Sequence, residues 1–391
     1  MTGSGRSVAP FLLRVLGATL APALLVGAAR SALAAPASPS PSSLPPSATA
    51  PAASTTPSPL SSAAAAEVSA GDAFVDKGEW AKAEVAYRKA EALAPQHPAP
   101  RVARAKAIVA SLGVPLDLGS ARLFAAQEKR VNEARALLTA AQKLAPWHAP
   151  AWVEGGRVAL MLGDGAQALS DLDRGVSLAP ADPEAVGARG IAKLALGRGD
   201  AAIADLRRAV ELDPTTAARR RNYATALLLQ GRAGEAVKAY EKALELDPSS
   251  AGTRNDLGAA LLQLGDVSRA IQELEAAVKA APAHAVYRVV LGFAYQSAKR
   301  WADAEGAYKK AIALDDQRVA AWVNLGSLYA QQGKKDEARA ALKRALALEP
   351  KEPRALQMLE DLDAKASAPV GSGSGKPGPA TAPSASSKPK G

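Results

Sequence analysis

A proline recurs at a constant interval along most of this chain. The recurring places are Pro146, Pro180, Pro214, Pro248, Pro282 and Pro350, with Asp316 in the one missing place, and each step is 34 residues. Self-similarity at a fixed period of this length indicates one supersecondary unit that is repeated and stacked. Such a chain needs no separate domain cores, because each unit buries its apolar face on its neighbours.

The clearest unit, residues 321–350, contains two amphipathic helices separated by Gly333. We expect Gly326 on the first helix to face Ala338 on the second, because two helix backbones approach closely only where the side chains are small. Leu342 then fills the space beside that contact. The unit is therefore predicted to be a helical hairpin.

This pattern resembles the tetratricopeptide repeat, whose first helix reads W-x2-L-G-x2-Y and whose second helix carries A-x3-F before a proline. The glycines and alanines at these places recur in register at Gly258, Gly292 and Gly326 and at Ala270, Ala304 and Ala338. The resemblance implies an all-α fold, a right-handed superhelical solenoid of about eight helix-turn-helix repeats with a C-terminal capping helix. The repeats are expected to begin near Ala64, Pro98, Ala149, Pro183, Ala217, Ala251, Ala285 and Val319. The cap is the helix after Pro353, with Leu356, Leu359 and Leu362 on one side.

Three departures from the repeat carry predictions. An insertion at about 113–129 separates Pro95 from Pro146, and Ser120 is expected to cap a lengthened second helix there. The inserted loop either packs on the neighbouring repeat or forms a docking site. Lys193 occupies a tyrosine place, which predicts a loosely packed repeat. Finally, arginines replace the opening aromatic residue in three consecutive repeats, and we expect their guanidinium groups to reach water: Arg220, Arg254 and Arg288.

The two ends of the chain differ in composition from the repeats. Residues 1–34 combine basic residues, an apolar run at 15–29 and the small-residue site Ala32-Leu33-Ala34, which predicts a cleaved signal peptide and a periplasmic or secreted protein. The alternative is an uncleaved membrane anchor. Residues 35–66 are predicted to be a disordered Ala/Pro/Ser linker, residues 67–366 the solenoid, and residues 367–391 a disordered basic tail. The chain has no cysteine, so no disulfide stabilises it.

Neither nucleic-acid binding nor catalysis is predicted. Six of the basic residues behind the net charge of +10 lie in the N-terminal segment and the tail, and no basic surface with interleaved aromatic residues is visible. His97, His148 and His284 share one structural place, the turn before a first helix, and are expected to lie too far apart to share a metal. No phosphate loop, zinc spacing or nucleophile motif occurs. We expect no enzyme, no metal and no cofactor.

The resemblance implies a partner-binding groove lined by the first helices. Carried over residue by residue, the groove positions are Arg221, Thr225, Asn255, Val289, Phe293, Gln296, Val323 and Ser327. Arg221 and Asn255 are expected to hold a carboxylate or the backbone of an extended ligand, and Val289 with Phe293 an apolar side chain. In the alternative, Phe293 packs within the solenoid and Arg221 is a solvated charge.

The resulting prediction is a non-catalytic protein-binding scaffold or adaptor of the cell envelope. Its partner is a protein or peptide, within a cell-envelope complex, with no nucleic acid and no integral membrane span after signal cleavage. The alternative function is an accessory subunit of a polysaccharide-export or secretion machine that contacts glycan.

Overall fold

The computed structural model describes residues 59–113 and 125–367, which form seventeen α-helices and no strand. The first helices of the repeats are α1 (Ser62–Asp76), α3 (Ala99–Ser111), α5 (Ala149–Met161), α7 (Pro183–Ala195), α9 (Ala217–Leu229), α11 (Ala251–Leu264), α13 (Ala285–Ser297) and α15 (Val319–Gln331). The second helices are α2 (Trp80–Leu93), α4 (Ala125–Leu144), α6 (Gly165–Leu178), α8 (Gly199–Leu212), α10 (Ala233–Leu246), α12 (Val267–Ala280), α14 (Trp301–Leu314) and α16 (Lys335–Leu348). The last helix is α17 (Pro353–Ser367).

The predicted all-α repeat solenoid is confirmed, since eight helix pairs follow one another and α17 comes after them. The structure differs from the prediction at the start of the solenoid. Helix α1 begins at Ser62, inside the predicted linker, because the Ser61 side chain accepts a hydrogen bond from the Ala64 backbone N–H at 3.3 Å and caps the helix. The predicted signal peptide and the predicted basic tail lie outside the described residues, except that α17 includes Ser367.

The predicted glycine contact is confirmed in the last repeat. A Cβ on Gly326 would lie 2.7 Å from Leu342 Cγ and 3.4 Å from the carbonyl oxygen of Ala338. The contact is closer in the third repeat, where a Cβ on Gly156 would lie 2.9 Å from a backbone oxygen of α6. In these two repeats the helices of a pair therefore pack at a distance that only glycine permits.

The turn inside each pair requires a residue in the left-handed region. Gly333 adopts φ 77° there, and Lys299, which replaces the turn glycine of the seventh repeat, adopts φ 60°. Lys299 is the only residue other than glycine with positive φ among the described residues. The hairpin geometry thus overrides the preference of that side chain.

The three arginines at the opening aromatic position make the same hydrogen bond. Each donates a hydrogen bond to the carbonyl oxygen of the proline six residues earlier, in the turn between repeats: Arg220 to Pro214 at 3.0 Å, Arg254 to Pro248 at 3.0 Å and Arg288 to Pro282 at 2.7 Å. Trp152 makes the same bond to Pro146 through its indole N–H at 3.0 Å. These hydrogen bonds are exposed, in agreement with guanidinium groups that reach water, and arginine also replaces tryptophan here as an N–H donor.

The second repeat contains the predicted long second helix. Helix α4 has 20 residues, whereas α2 and α6 have 14 each. Part of the insertion at 113–129, including Ser120 and the loop before α4, lies outside the described residues. Its role as a docking site therefore stays a prediction.

The repeat that carries Lys193 is not loosely packed, so that prediction is wrong. The Lys193 ammonium lies 2.6 Å from Asp205, and Arg189 binds the same carboxylate with two hydrogen bonds of 2.7 Å and 2.9 Å. Ala202 and Leu206 of α8 are fully or almost fully buried. The largely buried Asp205 carboxylate pairs with both cations, so the lysine at the tyrosine position has an acidic partner within its repeat.

The chain divides into two compact units, with a boundary between Ala321 and Trp322. The core of the first unit is a row of apolar clusters, of which the largest joins residues of α7 to α13. In the second unit α17 buries Ala355 and Leu362, but Leu356 is 42% exposed, so only part of the predicted leucine face is covered. Arg354 also donates to the Asn324 side-chain oxygen at 3.0 Å. No helix in the part of the chain that the structure describes has the length and hydropathy needed to cross a membrane.

Candidate partner-binding face

The predicted site residues of the first unit lie on α9, α11 and α13. These first helices contact one another as well as their own second helices, as do α5 and α7 before them. Their shared side is called the inner face below. Arg221 and Thr225 lie on α9, and Asn255 lies on the neighbouring α11. Val323 and Ser327 belong to the second unit.

Arg221 on α9 is bound to Asp256 on α11. Its Nε donates to Asp256 Oδ2 at 2.8 Å, and its guanidinium carbon lies 3.3 Å from where a Cβ on Gly252 would be. The Arg221 side chain is 25% exposed and the Asp256 side chain 5%. Arg221 is therefore not a solvated charge, and it is already neutralised before any partner arrives.

Asn255 lies beside this ion pair and has an unused hydrogen-bond acceptor. Its side-chain nitrogen donates to Asp256 Oδ1 at 3.2 Å, whereas its oxygen is buried and has no hydrogen-bond partner among the described residues. The neighbouring carboxylate fixes this orientation, because a flipped amide would place two oxygens against each other. A buried unpaired oxygen costs free energy, and an N–H donor from a partner would relieve that cost.

The Thr225 hydroxyl makes its hydrogen bonds inside the fifth repeat. Its hydroxyl donates to the Arg221 carbonyl at 3.0 Å, and the Tyr240 hydroxyl lies 2.8 Å from it as a donor. Burial raises the pKa of Tyr240 well above its ordinary value. Thr225 thus joins α9 to α10 and is not presented to a ligand.

The apolar part of the predicted site is also buried. Val289 is fully buried, Phe293 is 6% exposed, and Gln296 accepts a hydrogen bond from the Tyr308 hydroxyl at 2.8 Å. In the second unit Val323 is buried and Ser327 half-buried. The expectation that Val289 and Phe293 present an apolar surface is therefore corrected: both pack within the solenoid. Binding at the other predicted positions stays a prediction.

A chain of ion pairs crosses the first helices of the second to fifth repeats, and the sequence patterns did not reveal it. Lys106 on α3 lies 3.9 Å from Glu154 on α5, and Arg157 on α5 lies 3.5 Å from Glu154 and also contacts Glu184 on α7. Glu184 lies 3.2 Å from Arg219 on α9. Burial raises the pKa of Glu154 despite the two cations beside it. Here the charges satisfy one another across repeat boundaries.

The histidines occupy the turns before first helices, as predicted. His97 accepts a hydrogen bond from the Ala99 backbone N–H at 3.2 Å, and the His284 ring stacks on Tyr287 at 3.9 Å. Burial lowers the pKa of His97, His148 and His284. The described residues contain no cluster of three or more potential ligands that could hold a metal.

Family models of the tetratricopeptide repeat match residues 188–251, 227–290 and 295–362. No curated protein matches the chain. These matches lie within the fourth to eighth repeats and reach into α17.

Solved structures provide a second comparison. The Cut9–Hcn1 hetero-tetramer of the APC/C is 16% identical, with a TM-score of 0.57, over 75% of this chain and 54% of that one. PilF of Pseudomonas aeruginosa is 18% identical with a TM-score of 0.47, over 55% of this chain and 97% of that one. MamA is 27% identical with a TM-score of 0.38, over 42% of this chain and 95% of that one. This chain spans about half the length of the first of these three, with which it shares the fold. The chain is thus an all-α repeat solenoid, and its residues 188–290 and 295–362 are tetratricopeptide repeats.

Proposed function

We propose that this chain is a non-catalytic scaffold that binds an extended segment of a partner protein on the inner face of α9 and α11. The tetratricopeptide repeats support a role in protein binding. The observation that carries the proposal is the unpaired oxygen of Asn255 beside the Arg221–Asp256 pair. A peptide backbone offers an N–H donor and a carbonyl acceptor at each residue other than proline, so it can donate to the Asn255 oxygen while its carbonyl accepts from the Arg221 guanidinium.

The part of the ligand that contacts Arg221 and Asn255 is expected to be neutral rather than acidic. Asp256 already binds both Arg221 and the Asn255 nitrogen, so a partner carboxylate would compete with an internal one. Because Asn255 is 6% exposed, the partner must open this face before it reaches the oxygen. Opening this face costs free energy, which reduces the net binding free energy and favours modest affinity.

Capture from an extract of the exporting cell tests the site. We expect Arg221→Ala to weaken partner capture by about 1 kcal/mol or more while circular dichroism stays helical. Arg207→Ala, an exposed arginine on α8, is the matched control and should leave capture unchanged. Phe293→Ala is unsuitable as a probe, since it would empty a buried place.

Two outcomes would contradict the proposed site. Equal capture by the wild type and Arg221→Ala, with loss on deletion of residues 113–129, would move binding to the insertion. Retention on wall or capsule polysaccharide instead of protein would favour the glycan-contacting subunit.

We also propose that the scaffold acts in the cell envelope, as a periplasmic or secreted protein. The support is the basic and apolar pattern of residues 1–34. N-terminal sequencing of the exported protein is expected to begin at Ala35. A protein that begins at Met1 in the membrane fraction would show that the segment is an anchor.

A further inference from the structure

The first repeat carries an apolar groove between α1 and α2. Phe74 of α1 and Ala81 and Val85 of α2 line a cavity of about 510 Å³, and Lys82 and Lys89 stand at its rim. Val85 is 51% exposed. The groove therefore presents apolar surface that is not covered by the described residues.

In the third repeat, the surface equivalent to this groove contacts the end of the preceding second helix, α4. Trp152 and Arg174 of the third repeat donate to the carbonyl of Pro146, in the turn directly after α4, at 3.0 Å and 3.5 Å. Asp171 accepts from Gln142 of α4 at 3.3 Å. The residues at the same repeat positions in the first repeat are Glu67, Lys89 and Ala86, which all line the groove. The groove is thus the place where a preceding second helix packs, and no described helix precedes α1.

The charges at the rim favour an uncharged occupant. Lys89 lies 3.8 Å from Glu67, and Lys82 lies 2.7 Å from Glu79. Both ammonium groups already have acidic neighbours, so an acidic ligand gains little by docking there. An occupant must instead supply apolar side chains along about one helix length.

We propose that the apolar segment at residues 15–29 docks into this groove of its own chain. The segment contains no charged residue and has nearly the length of the 14-residue second helices that cover the equivalent face elsewhere. The connection from residue 29 to α1 has about 30 residues, whose root-mean-square reach is about 30 Å, and α1 itself is about 22 Å long. The segment can therefore reach the whole groove. If it is removed on export, the docked form belongs to the precursor and shields the segment from water until removal.

Cysteine pairs provide the test, because the natural chain contains no cysteine. The full chain with Leu20→Cys and Val85→Cys is oxidised under mild conditions, and monomeric cross-linked product is measured on a denaturing gel and by peptide mass spectrometry. The control pair is Leu20→Cys with Lys238→Cys, which is exposed at the same position of the fifth repeat. Both helix positions are exposed, so neither substitution disturbs the core.

We expect roughly tenfold more intramolecular product for the Val85 pair than for the Lys238 pair, since docking raises the local concentration of one thiol near the other. Equal yields for the two pairs would overturn the proposal. Predominantly dimeric product at Val85 would also overturn it and would assign the groove to a second copy of the chain. The result is independent of partner capture by the inner face.

Discussion

At the scale of the residue, the space beside each glycine decides whether a repeat tolerates a side chain. A Cβ on Gly156 would lie 2.4 Å from Leu172 Cγ and 2.9 Å from the Ala168 carbonyl oxygen. Gly306, in the middle of α14, has nothing within 4 Å of the same point. Both residues are helical glycines, but only Gly156 lies where a side chain would collide with the neighbouring helix.

We predict that Gly156→Ala and Gly306→Ala change stability in opposite directions. Gly156→Ala should cost about 1–3 kcal/mol, because a backbone oxygen cannot move as a side chain does. Gly306→Ala should gain about 0.4–1 kcal/mol by reducing the freedom of the unfolded chain. Urea unfolding followed by circular dichroism measures both. Equal midpoints for the two variants would contradict the helix contact described for the third repeat.

At the scale of the element, charged side chains join helices that are distant in sequence. Burial acts to raise the pKa of Asp205 on α8, but hydrogen bonds from Arg189 and Lys193 outweigh it and lower that pKa. Glu154 on α5 also has two cations as neighbours, yet burial dominates and raises its pKa. Two buried carboxylates with similar neighbours therefore respond to pH in opposite ways.

We predict opposite pH dependences for Asp205→Asn and Glu154→Gln. The charged form of Asp205 stabilises the fold above the unfolded pKa of 3.8, so Asp205→Asn should cost roughly 3 kcal/mol at neutral pH. That difference should vanish as pH falls through the lower pKa of the folded state. The charged form of Glu154 is disfavoured, so the wild type should gain stability relative to Glu154→Gln as pH falls from neutral towards 4.5.

Urea unfolding of the two variants and the wild type across this pH range provides the measurement. Parallel profiles for the two variants would mean that the cations beside Glu154 outweigh its burial.

At the scale of the whole molecule, a terminal repeat needs a capping helix, because the apolar face that an inner repeat buries on the next repeat would otherwise be exposed. Helix α17 buries Ala355 and Leu362 in the second unit, and Arg354 gives Asn324 its hydrogen bond. Asn324 is almost completely buried. A terminal repeat without such a cover exposes apolar area and leaves a polar group unpaired.

We predict that a chain ending at Glu352 opens from its last repeat. Amide hydrogen exchange of α15 and α16 should accelerate, whereas that of α9 and α11 in the other unit should not change, because repeat stability depends on nearest neighbours. Mass spectrometry of peptic fragments from the full and shortened chains measures this. Acceleration spread evenly over all repeats would instead show one cooperative unit.

The period of the prolines and glycines was enough to predict the helix pairs, their order and their closest contacts. Each of these depends on residues within one repeat: Gly326 meets Leu342, and Gly333 turns the chain between them. The lengthened α4 followed in the same way from the irregular distance between Pro95 and Pro146. Local spacing carries this information because the hairpin forms from neighbouring segments.

The ion-pair partners and the burial of the candidate site residues were decided only by the tertiary structure. The sequence predicts Arg221 to be either a ligand-binding or a solvated charge, yet its partner Asp256 lies in the next repeat. It predicts loose packing around Lys193, whose partner Asp205 is on another helix. The burial of Val289 and Phe293 likewise depends on neighbouring helices. A repeat pattern assigns each residue to a face, but the partner and the exposure of a side chain depend on what the adjacent repeat places against it.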